Sequence, residues 1–130
     1  MPENIAELSA NGGQPEVEIV IGQLQRGDHS IILLDRNGEN GVIVGETNNG
    51  IPVAYRYQIP KPLSALDGSE LRWNCIIGTM SGGEENASVT VRIIQDDQVV
   101  SGGTIVTRKK IDGLGLIDDK VRLNVSGKLR

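Results

Sequence analysis

The strictest constraint on this chain is its period-two alternation of aliphatic and polar residues, cut at short intervals by turn residues. Val17, Ile19 and Ile21 alternate with Glu18, Val20 and Gly22. Leu71, Trp73, Cys75 and Ile77 share one parity, with Arg72, Asn74 and Ile76 on the other. Val89, Val91 and Ile93 alternate with Ser88, Thr90 and Arg92. Successive side chains of a strand point to opposite faces, so such segments predict half-buried strands. The chain has 17 glycines and no Phe, and only Tyr55, Tyr57 and Trp73 are aromatic. Its core must therefore be built from Val, Ile and Leu, and β-branched side chains suit a pleated surface.

The breaks support the same reading. Asn37-Gly38 and Asn40-Gly41 supply positive φ cheaply and mark a hairpin between Ile31–Leu34 and Val42–Val44. Asn48-Asn49-Gly50 predicts another tight turn, leading to a strand carrying Val53, Tyr55, Tyr57 and Ile59. These three strands are expected to form a meander. Gln25 to Asp28 is expected as a turn, which leaves His29 exposed in it. Pro60-Lys61-Pro62 interrupts the pattern and, with one helical turn over 63–68, is expected to cross between sheets. Gln95 to Gln98 is read as a hairpin turn, Ser101-Gly102-Gly103 as a bulge or bend, residues 108–119 as a long loop and 120–129 as the last strand.

About eight short strands and no segment resembling a crossover helix predict an all-β fold, an antiparallel β-sandwich. Its general outline resembles immunoglobulin-like or jelly-roll-like modules, although Cys75 lacks the second cysteine of an antibody-type domain. The expected organisation is a flexible N-terminal arm over 1–15 and a single sandwich domain over 16–130.

A net charge of −4 provides no global field for nucleic acid. No stretch approaches the roughly 20 apolar residues of a membrane span. One cysteine permits no intrachain disulfide, and the first ten residues lack a signal-peptide pattern, so a cytoplasmic location is expected.

Catalytic signals are weak. His29 is the single histidine, and Ser81 in Thr79-Met80-Ser81-Gly82 is not a nucleophile elbow. Gly113-Leu114-Gly115 is followed by neither Gly-Lys-Ser nor a helix, which excludes a phosphate loop. One His and one Cys do not make a zinc site. Asp35, Asn37 and Glu39 place oxygens at alternate positions and form a weak calcium alternative. No cofactor, metal or catalytic residue is expected, and the chain is read as not an enzyme.

One pattern goes beyond composition. Arg56, Arg72, Arg92 and Arg122 fall on the parity opposite the core, joined by Lys120, Lys128 and Arg130. Many acids, including Glu39, Glu84, Asp96, Asp112, Asp118 and Asp119, fall in expected loops. Basic faces could then meet acidic loops on another copy. Tyr55 and Tyr57 are core or rim residues by parity, or an exposed binding pair. The expected function is a non-catalytic structural or protein-interaction module, with protein partners that include itself as a homo-oligomer. A small-ligand module for carbohydrate or lipid is the alternative, with an aromatic platform as its usual requirement.

Overall fold

A computed structural model of the chain describes residues 3–22, 26–50 and 54–127. Val53, Lys128, Leu129 and Arg130, which figure in the expectations above, lie outside the described residues.

Nine strands are present among the described residues: β1 Ile5–Ser9, β2 Glu16–Ile21, β3 Arg26–Leu34, β4 Val42–Gly50, β5 Tyr55–Gln58, β6 Glu70–Gly78, β7 Glu84–Gln95, β8 Gln98–Asp112 and β9 Leu114–Ser126. Hydrogen-bonded neighbours run β4-β3-β6-β9-β8-β7-β2-β5, with β1 added to β9. The β8–β9 link is a single pair, Asp112 opposite Leu114, around Gly113 at φ 73°. Beyond that turn the two strands part. The path thereby folds into two packed layers, β4-β3-β6-β9-β1 and β8-β7-β2-β5, which is the expected all-β sandwich.

The core lies between the layers. Ile31, Leu33, Leu71, Trp73, Cys75, Ile77, Ile117, Val121 and Leu123 face inward from the first. Val17, Ile19, Val89, Val91 and Ile93 meet them from the second. Trp73 is the large central side chain, as its parity predicts.

Several expectations need correction. The N-terminal segment is not a loose arm throughout, because β1 runs parallel to β9 with Ala6 and Leu8 fully buried. Gln95 secures its end: its Oε1 accepts from the Ser9 amide at 2.9 Å, and its Nε2 donates to the Ser9 and Gly13 carbonyls. A buried amide side chain here satisfies backbone groups that would otherwise be stranded.

The meander is also broken. β3 and β4 pair, but β5 pairs with β2 in the other layer. Asn48, Asn49 and Gly50 continue β4 rather than turning, and residues 26–28 open β3 rather than forming a turn. The 108–119 loop does not exist: β8 extends to Asp112 and β9 begins at Leu114. Asp112-Gly113 is a hairpin signal of the usual kind. The Pro60–Pro62 segment does cross between layers, passing through a 3-10 turn at Leu63–Ala65 into β6. Asp96 and Asp97, both at positive φ, make the tight β7–β8 turn. The bulge over 101–103 is real, since the β7–β8 register shifts between Arg92 and Ile94.

Candidate functional site

The four arginines do not form free basic faces. Strand β2 lies between β5 and β7, so Glu18 is directly opposite both Arg56 and Arg92. Its carboxylate reaches Arg56 at 3.3 Å and Arg92 at 3.2 Å, and Glu16 adds a contact to Arg56 at 3.5 Å. The other pair sits on the first layer. Glu70 is opposite Arg122 in register and only 4% exposed. It is bonded to Arg72 and approached by Lys120 at 3.8 Å and Arg122 at 3.5 Å. Arg122 also reaches Glu3 and donates to the Gly68 carbonyl. Each of the four arginines is therefore ion-paired with a carboxylate, and Glu70 is shared by Arg72, Lys120 and Arg122. The expected division of basic strands from acidic loops fails as well, because Glu18 and Glu70 are strand residues and Asp118 and Asp119 lie within β9. Paired partly exposed charges contribute little net energy and little outward field.

Tyr55 and Tyr57 face the interior rim between the layers and do not form a platform. They pack on His29, with ring centroids 5.1 and 5.6 Å away. His29 Nε2 and the Tyr57 hydroxyl share a 2.6 Å hydrogen bond whose direction follows the imidazole tautomer. His29 is not a water-exposed turn residue. It shares parity with Ile31 and Leu33, sits opposite Cys75 and is 3% exposed. Its Nδ1 and the Trp73 Nε1 are buried with no hydrogen-bond partner among the described residues. Burial pushes the His29 pKa down, opposed in part by Asp28. Burial likewise raises the Tyr57 hydroxyl, with Tyr55 and Glu46 adding to the effect. The Cys75 thiol is pushed up to about 12, first by burial and then by Asp118. A thiol held protonated is a poor nucleophile.

Asp35, of the calcium alternative, is engaged in its hairpin. Its Oδ1 accepts from the amides of Asn37 and Glu39, and its Oδ2 accepts from Asn40 Nδ2 at 2.7 Å. The Glu39 amide, and then the Asn40 side chain, hold its carboxyl below the usual carboxylate range. Among the described residues no three His, Cys, Asp or Glu side chains gather as a metal cluster.

Two surface features were not anticipated. On the outer face of the first layer, Ile76 and Leu116 are directly opposite each other and each 48% exposed. Leu114, at 69%, follows on the same face of β9, and Met80, at 65%, lies just beyond β6. The Thr79 amide donates to the Gly113 carbonyl and brings the Met80 segment against the β8–β9 turn. The sequence signal was available: Ile76, Leu114 and Leu116 are aliphatics on the solvent parity. The second feature is a depression on the other layer beside Arg108 and Lys110. No helix among the described residues is long and apolar enough to cross a membrane. No family model, curated protein or solved structure matches this chain.

Proposed function

We propose that this protein is a non-catalytic interaction module that pairs with a second copy of itself through the apolar end of its first layer. The observation carrying this reading is the exposure of Ile76, Leu114, Leu116 and Met80 together at one end of a sheet. Scattered exposed aliphatics are ordinary, whereas a contiguous group marks a contact surface. An isologous dimer places one patch on its own copy, so each apolar row meets an apolar row. The rest of that face argues for the same occupant. Its other end is dominated by the charged Glu70 cluster, where the exposed Ile5 and Ile43 stand apart on flanking strands rather than as a contiguous row.

The reading moves the expected contact from arginine faces to aliphatic side chains, and the salt response separates the two. Contacts between charged faces weaken as salt screens them. Apolar contacts do not weaken in this way, and excluded salts strengthen them. Light scattering coupled to size exclusion, at low and at high salt, is the experiment. The expected result is a dimer that persists at high salt and is lost in Leu116→Lys, while Val99→Lys on the second layer leaves it unchanged. A wild-type monomer throughout the concentration range, or a dimer dispersed by salt, overturns the reading.

A further inference from the structure

We infer that the outer face of β7 and β8 near the Gly113 turn binds a compact phosphate-bearing anion. The two strands run side by side here, with Asn86 opposite Lys110 and Ser88 opposite Arg108. Ala87 and Val89 are buried beneath them, so the even-numbered residues of β7 point outward. Together with Gly22 and Lys109 they line an open depression of about 610 Å³. On this outward face stand two cations, Arg108 and Lys110, with a hydroxyl and an amide and no carboxylate.

The charge balance distinguishes this depression from every arginine site discussed above. Arg56, Arg72, Arg92 and Arg122 each touch one or more strand carboxylates. Lys110 reaches Glu84 at 3.7 Å. Arg108 has no carboxylate within 4 Å among the described residues, and Lys109 spends its ammonium on the Leu116 carbonyl at 3.0 Å. The guanidinium fork of Arg108 therefore has no ion-pair partner among the described residues, while the Lys109 ammonium is directed to the other side of β8, toward β9. On a chain of net charge −4 this is a local positive site. A guanidinium presents parallel N–H donors that match the oxygens of a phosphate group. Ser88 lies directly across the ladder, where its hydroxyl can donate to the same group.

The extent of the site favours a small anion over a polymer. Further along the same face, Glu18 neutralises Arg56 and Arg92, so the positive field does not continue as a stripe. A nucleic acid would need such a stripe, because its affinity is built from many phosphate contacts. The depression and the apolar end flank the same Gly113 turn on the outer faces of different layers, so Arg108 and Leu116 variants test the ligand and the dimer independently.

The experiment is a titration of the full chain with pyrophosphate at constant ionic strength, read by amide chemical shifts and by calorimetry. Saturable shifts at Asn86, Ser88, Arg108 and Lys110 are expected. Arg108→Gln is expected to weaken binding about tenfold or more, the size of one charged hydrogen bond. Arg56→Gln, on a paired cation of the same layer, is expected to stay within about twofold, since a rim charge acts mainly through the screened field. Both changes are on exposed side chains, which leaves folding intact. Non-saturable shifts, or equal losses in the two variants, overturn the inference. So does tight binding of a single-stranded oligonucleotide without binding of pyrophosphate.

Discussion

Leu8→Ala tests whether β1 is a structural strand or a dispensable arm. Leu8 is 1% exposed and faces the core from a strand that pairs residue by residue with β9. The change removes three carbons, and about 0.8 kcal/mol per buried methylene gives roughly 2.4 kcal/mol of lost transfer energy. Incomplete collapse around the site adds about 1 kcal/mol, and the sum of roughly 3.5 kcal/mol lies within the measured range for such changes. The neighbours cannot easily close in, because the Gln95 clamp fixes the Ser9 backbone and the β9 ladder fixes the rest. With a urea slope of about 2 kcal/mol/M, the midpoint falls by roughly 1.7 M. Trp73 is the single tryptophan and is buried at the centre, so its fluorescence reports unfolding directly. Ile5→Ala is the control, since Ile5 is on the opposite parity and exposed. It should cost under about 1 kcal/mol. A Leu8→Ala midpoint indistinguishable from wild type would show that β1 does not contribute to the cooperative unit.

Two further predictions concern the titrating groups of the core. The unfolded chain binds a proton at His29 with an ordinary pKa of 6.5, while burial sets the folded value lower. Between those two values the unfolded state holds more protons, so stability falls as pH drops below about 6.5 and levels off under the folded pKa. Asp35, whose pKa is lowered from 3.8, acts below that window. Urea midpoints between pH 7.5 and 5 should therefore decline for wild type and flatten in His29→Gln; equal slopes in the two proteins would refute this assignment. Cys75, buried and pushed up to about 12, should resist a thiol reagent at neutral pH until the chain unfolds. Stoichiometric labelling of the native protein at the rate of a free thiol would contradict its placement.

What could be read from the residues depended on how locally each feature was encoded. Trp73, Cys75 and Ile77 were placed correctly because one sheet face is buried and the other is wet, and alternation records that difference directly. The Asp96-Asp97 turn was legible for a similar reason, since short polar side chains tolerate positive φ. β1 was missed because five residues with two core contacts carry almost no periodic signal. The β8–β9 hairpin was obscured by the run Arg108-Lys109-Lys110, which breaks the alternation although the backbone continues as strand. His29 shares the parity of Ile31 and Leu33, but the adjoining Gly27-Asp28 pair carries a turn signal that obscures it. The pairing of Glu18 with Arg56 and Arg92 was not legible at all. It depends on β2 lying between β5 and β7, and their order is a property of the whole chain. The apolar end of the first layer was partly visible in Ile76, Leu114 and Leu116. Only the register shows that Ile76 and Leu116 are neighbours.

The position of β9 has a consequence for when this protein can acquire its structure. It is the last strand in sequence order among the described residues, yet it is an interior member of its layer, bonded to β6 on one side and to β1 on the other. Ile5 waits for Arg122, and Glu70 for the same residue. Contacts that join the extremes of a chain are slow to form because the loop entropy is lost before any contact repays it. Until β9 joins, β6 is paired only with β3 and β1 has no ladder partner, so the first layer is completed only when residues 114–126 insert between them.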